Sequence, residues 1–171
     1  MMKYTIKALL MVIAITALSA CGVSFEEEEV AVKDAFKTGF QEEPKKTNKE
    51  NEDIQFYLPF GFEIEEQSKN NVILKNGSKK YILFYNQQED TSSRIVYETT
   101  SQSKDAFEVN ETITDDNRFG FLLVNHKSEK ENNLIIGIGG VKLSTETKVR
   151  NLETEAKTLI QIANSVQTKD E

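Results

Sequence analysis

The sequence predicts an α+β protein: an antiparallel sheet meander packed by a C-terminal amphipathic helix, with a short N-terminal helix and a flexible tether. Three observations predict it. From Ile54 onward, apolar residues recur with period two in short runs separated by turn residues. Asn76-Gly77 falls between two such runs and is the strongest short hairpin signal in the chain. The last periodic segment changes to steps of three and four through Val149, Leu152, Ala156, Leu159, Ala163 and Val166, a core-facing helical stripe. Runs of strands followed by one terminal helix argue for segregated α and β elements.

The N-terminal segment is not part of that fold. Lys3 and Lys7 precede the largely apolar stretch Ala8 to Ala17, and the small residues Ser19 and Ala20 precede Cys21. This is the layout of an export signal. Leu18-Ser19-Ala20-Cys21 resembles the lipobox of bacterial lipoproteins. That resemblance implies cleavage between Ala20 and Cys21, a diacylglycerol on the Cys21 sulfur and possible acylation of the new amino group. It implies a lipid-anchored protein on the extracytoplasmic face of the cell membrane. A second reading is an uncleaved anchor, because no charge falls between Ala8 and Phe25 and that run reaches the lower limit of a spanning helix. Both readings leave the lysines inside and the acidic bulk outside.

Composition narrows the rest. The formal net charge is −7, and removing residues 1–20 takes away two lysines and no acid. A chain this acidic is not expected to bind nucleic acid or anionic lipid through bulk charge. Cys21 is the one cysteine, so the domain is expected to stand on its core without an internal disulfide.

Residues 22–40 read as a short acidic helix. Ser24 and Glu27 have capping-box spacing, and Phe25, Val32, Phe36 and Phe40 line one face. The helix is expected to pack on its own domain or to fray; docking to a partner or a membrane surface is the alternative. Gln41 to Asp53 carries mixed charges and no aliphatic or aromatic residue, the composition of a disordered linker. Fully extended, its 13 residues would reach about 45 Å. The expected organisation is therefore signal peptide 1–20, anchor, helix and linker 21–53, a single domain 54–167, and a tail 168–171.

Within the domain, Ile54, Phe56 and Leu58 alternate up to Pro59, and Phe62 and Ile64 start another strand. Tyr81 to Tyr85 is apolar on both faces, as in a central strand covered on both sides. Ile95 to Tyr97 reads as a short strand, and Phe107 to Ile113 alternates with polar residues. Asp115-Asp116-Asn117 reads as a turn, and Phe119 to Val124 and Leu134 to Leu143 as two long strands. Ser144 or Thr145 is expected to cap the final helix, with Glu146 in its first turn. Gly137 and Gly139 are expected to let that helix approach the sheet closely. The run Leu58-Pro59-Phe60-Gly61-Phe62, the meander and the closing helix together resemble the PsbP/Mog1-like sandwich of small bacterial lipoproteins. That resemblance spans about residues 54–167 and implies a mostly non-catalytic accessory role; it assigns no functional residue.

No motif supplies a catalytic constellation. His126, the single histidine, is expected at an exposed strand end and lacks a nucleophile-elbow partner. Zinc would need thiolates or several histidines. Asp115, Asp116 and Asn117 lack the alternate spacing of a calcium loop. Gly137-Ile138-Gly139-Gly140 lacks the remainder of a phosphate-binding fingerprint. No metal or cofactor is expected. The exposed candidate is the aromatic run Phe56 to Phe62, a recognition patch if it is not core. The function expected is a non-enzymatic binding or accessory domain at the membrane, taking an envelope protein or a small ligand. The alternative is an envelope hydrolase with paired carboxylates.

Overall fold

The computed structural model describes residues 23–103 and 106–169. Helix α1 spans Phe25–Gln41 and is followed by β1 (Lys49–Glu50), β2 (Ile54–Phe56), β3 (Glu63–Ser68), β4 (Asn71–Asn76) and β5 (Lys79–Tyr85). Helix α2 (Ile95–Ser101) precedes β6 (Val109–Thr114), β7 (Phe119–Ser128), β8 (Glu131–Ile138) and β9 (Val141–Thr147). A 3-10 turn at Val149–Asn151 leads into α3 (Leu152–Ser165), and β10 (Gln167–Thr168) closes the described chain. Seven strands form one antiparallel sheet in the order β3-β4-β5-β9-β8-β7-β6, and β1-β2-β10 form a small second sheet. The α+β class with a C-terminal helix on an antiparallel sheet is the one the sequence predicts.

Helices α1 and α3 lie side by side on one face of the large sheet. Val32, Phe36 and Phe40 of α1 and Leu152, Leu159 and Ile160 of α3 join Leu74, Leu83, Leu122, Leu134, Ile136 and Leu143 in one buried core. The expected stripes of both helices therefore face inward. At Gly39 the two helices nearly touch: a β-carbon there would overlap Ile160 Cγ2.

Ser24 caps α1 as its spacing predicts. Its hydroxyl accepts from the Glu27 amide at 3.3 Å, and Glu27 Oε2 accepts from the Ser24 amide at 3.1 Å. The capping expected for α3 is different. Ser144, Thr145 and Glu146 lie in β9, and Asn151 at the helix start makes no side-chain cap. The cap comes from α1 instead: buried Glu28 accepts from the Glu153 amide at 3.1 Å. A carboxylate at a helix N-terminus satisfies an orphan donor and opposes the helix dipole.

The stretch Gln41 to Asp53 is not a disordered linker. Asn48 brackets Leu58, donating to its carbonyl at 3.0 Å and accepting from its amide at 2.8 Å. Asn51 Oδ1 accepts from the Asp53 and Ile54 amides, and β1 pairs with β2. Nor is Thr168 part of a free tail, because it pairs with Ile54 and the Lys169 amide donates to Asp53. The body thus begins at α1 rather than at residue 54.

Three strand expectations also change. Leu134 to Leu143 is a hairpin, not one strand: β8 and β9 pair through Ile138↔Val141 around Gly139-Gly140, with Gly139 at φ +54. Gly137 faces away from α3, toward the Phe121 ring, and Gly139 packs against the backbone of Asp90 and Thr91. The close approach of α3 expected at the sheet is not made there; α3 instead approaches α1, at Gly39. Ile95 to Tyr97 belongs to a helix. Strand β5 is interior but covered on one face only: Tyr81, Leu83 and Tyr85 are buried, while Ile82 is 46% exposed.

Candidate functional site

The second face of the sheet is divided. Over β7, helix α2 seals a small cluster in which Val96 packs with Phe119, Phe121 and Leu123. Tyr97 meets the Phe119 ring edge-on at 5.4 Å, and the Arg94 guanidinium lies 4.4 Å from that ring. Over β4, β5, β9 and β8 the face is open. Alternation brings Ile73, Ile82, Ser144 and Ile135 into one row across these four strands. A cleft of about 650 Å³ lies here, bordered by Ile82, Ile135, Lys80, Asn133 and Glu146.

Charges edge this apolar floor. Lys80 pairs with Glu65 at 2.7 Å, which holds the Glu65 carboxyl below its usual range. Lys142 stands where the open floor meets α2. Its Nζ donates to Thr100 Oγ1 at 3.1 Å and lies 5.4 Å from the Phe84 ring. It forms no ion pair among the described residues, and burial lowers its pKa.

Two further clefts differ in character. One, of about 550 Å³, follows the seam between α1 and α3, with Ala31, Ala35 and Gly39 below and Glu27, Asp34, Glu42 and Glu153 around it. The other, of about 910 Å³, gathers Glu50, Glu52, Asp53, Tyr85 and Lys169. Two of its acids are engaged: Tyr85 donates to Asp53 at 2.8 Å, and Glu50 pairs with Lys169 at 2.9 Å. Burial and the Asp53 carboxylate raise the pKa of Tyr85.

His126 lies near the end of β7, as expected, but it is half-buried. Its ring stacks on Phe25 at 4.1 Å, and Nδ1 meets Asn132 Oδ1 at 2.5 Å. Its surroundings are those of a packed side chain that fastens α1 to the sheet. Asp115 forms the expected turn and takes the Arg118 guanidinium at 2.7 Å. Among the described residues no group of three or more His, Cys, Asp or Glu is placed to hold a metal ion.

The aromatic run 56–62 separates residue by residue. Phe56 and Leu58 are core, Phe62 packs on Tyr81 at 4.9 Å, and Phe60 is 103% exposed. Leu18, Ser19, Ala20 and Cys21 lie outside the described residues. Among those described, no helix is long and apolar enough to cross a membrane. The open floor and Lys142 escaped the sequence reading, because which face of an apolar strand stays uncovered depends on where distant helices dock.

No protein-family model matches the chain, and no curated protein matches it. A solved structure from Bacteroides thetaiotaomicron resembles it with a TM-score of 0.34 and 9% identity, over 69% of this chain and 46% of that one. The chain thus spans less than half the length of that protein, and a likeness at this level assigns neither fold nor function.

Proposed function

We propose that the protein is an exported lipoprotein whose lipid on Cys21 holds a non-enzymatic binding domain on the extracytoplasmic face of the cell membrane. The observation that carries the reading is the Leu18-Ser19-Ala20-Cys21 motif standing immediately before the capped start of α1. Two or three acyl chains give durable anchoring, since each buried methylene contributes about 0.8 kcal/mol. The binding surface is the open sheet floor around Ile82 and Ile135, where apolar contact and edge charges are available together. The engagement of His126 with Phe25 and Asn132 supports a binding role over nucleophilic chemistry. So does the engagement of Asp53 and Glu50 in the acidic cleft. The resemblance to the PsbP/Mog1-like sandwich belongs to the same reading.

Membrane fractionation with mass spectrometry tests the address. The native protein should sediment with membranes carrying a diacylglycerol on Cys21, and Cys21→Ala or globomycin should leave an uncleaved precursor. A free thiol at Cys21, or the intact chain in the cytosol, refutes the reading. The binding role is tested with a photocrosslinker at Ile82 in intact cells. One discrete adduct that competes away with unlabelled protein is expected; an adduct pattern identical to that from exposed Lys157 on α3 refutes it.

A further inference from the structure

Cys21 lies three residues before Ser24, where α1 is capped. Three residues reach about 10 Å. Helix α1 is packed on the body through Val32, Phe36 and Phe40, and the stretch after it is bonded into the fold. A lipid on Cys21 therefore has no long leash to act through. The end of the domain that carries the first turn of α1 is held at the bilayer.

The topology identifies that end. Phe25 stacks on His126, close to the C-terminal end of β7. Every neighbouring pair in the sheet is antiparallel. The same end therefore holds the start of β8, the end of β9, the start of β5, the end of β4 and the start of β3. The connection that delivers the chain to β3 at this end is Leu58-Pro59-Phe60-Gly61-Phe62. Its amide of Phe62 donates to the Pro59 carbonyl at 3.1 Å, and Gly61 sits at φ +85. That is a type II turn opened by Pro59, with Phe60 at its second position and glycine supplying the positive φ at its third. Phe60 occupies the outer corner and projects wholly into solvent, while Phe56, Leu58 and Phe62 turn inward.

We propose that Phe60 inserts into the head-group boundary of the membrane that holds Cys21, as a second contact that fixes which way the domain faces. This inference rests on the lipoprotein reading. A rigid turn presenting one aromatic ring suits the interface between head groups and acyl chains, where apolar side chains of peripheral proteins settle. Bulk charge does not suit it: Glu26, Glu27 and Glu29 of α1 and Glu129 and Glu131 of the β7–β8 turn share this end with Lys130, Lys148 and Arg150. The partner is a phospholipid surface met through apolar burial, whatever its head-group charge. The cleft of Glu50, Asp53 and Tyr85, at the opposite end of β5, then faces away from the bilayer.

The chain contains no tryptophan, so Phe60→Trp creates a single tryptophan that can be excited apart from the tyrosines. Gln87→Trp, exposed beyond the other end of β5, is its counterpart. The full lipidated chain is placed on vesicles of brominated phosphatidylcholine, with and without phosphatidylglycerol. Phe60→Trp is expected to show blue-shifted, strongly quenched emission on both vesicles at low and high salt; Gln87→Trp is expected to show neither. Equal emission from the two variants on vesicles that carry the protein overturns the inference and leaves the lipoprotein reading intact. Quenching confined to phosphatidylglycerol at low salt also overturns it, because it marks attraction by charge. A chain that fails to float with vesicles and has an unmodified Cys21 overturns both.

Discussion

The two faces of the large sheet are built from the same four central strands and have opposite characters. On one face Val72, Leu74, Leu83, Leu134, Ile136 and Leu143 lie beneath two helices and are essentially inaccessible. On the other, Ile73, Ile82 and Ile135 take the alternate positions of β4, β5 and β8 and are only partly covered. Apolar content does not distinguish them. What differs is the cover available: α1, α3 and the segment from Asn51 to Phe62 close the first face, whereas α2, with seven residues, covers only the β7 side of the second. Stability is therefore concentrated on one side, and the other is left for contact with something outside the domain.

The sharpest way to break this contrast is at α1. Phe36→Ala removes a ring that is fully buried under the first face, and should cost about 3–5 kcal/mol by urea unfolding. A loss near zero would make α1 a detachable arm and remove the contrast. Gly39→Ala follows, because its new methyl meets Ile160 Cγ2; about 1–3 kcal/mol of destabilisation is expected, partly restored by Ile160→Ala. Thermal melts of the single and double variants measure the coupling.

The open face predicts smaller effects. Lys142 has a folded pKa below its unfolded value of 10.5. Between those two values the unfolded chain binds more protons, so stability attributable to this group rises with pH across that window. Tyr81, whose pKa burial raises, acts in the opposite sense above pH 10. The quantity to read is thus the difference between parent and Lys142→Met, which should show the rise only in the parent. Smallest of all, Ile82→Ser should change stability by no more than about 1 kcal/mol while abolishing any adduct captured by a photocrosslinker placed at Ile135 on the same floor. A loss comparable to that of Phe36→Ala would mean the second face is core after all.

The covered face was the legible one. The stripe from Val149 to Val166 survives as buried Val149, Leu152, Ala156, Leu159 and Ala163 because helical periodicity repeats over enough turns to stand out. Ser24 with Glu27 gave the start of α1 because the capping box is local chemistry. The hairpin at Gly139-Gly140 was hidden because Leu134 to Leu143 stays apolar straight through the turn. Helix α2 was hidden because Ile95, Val96 and Tyr97 favour strands. It is held by Val96 and Tyr97 packing on Phe119 and Phe121, with the Thr100 hydroxyl bonded to the Val96 carbonyl. The order in 41–53 was hidden because Asn48 and Asn51 each act through a pair of side-chain-to-backbone bonds, which composition does not register. Of the candidate site, Phe60 stood within a run already suspected, but its separation from its buried neighbours needed the turn geometry.

The Glu28 carboxylate sits on the first helix but accepts from the amide of Glu153 at the start of the last one. Chain emerging N-terminus first, from a ribosome or across a membrane, presents α1 more than a hundred residues before its partner α3 exists. Contacts so distant in sequence are slow to form. Until synthesis is complete, Phe36 and Phe40 remain a sticky, unburied surface, and any factor that shields nascent chains has its longest task at this first helix.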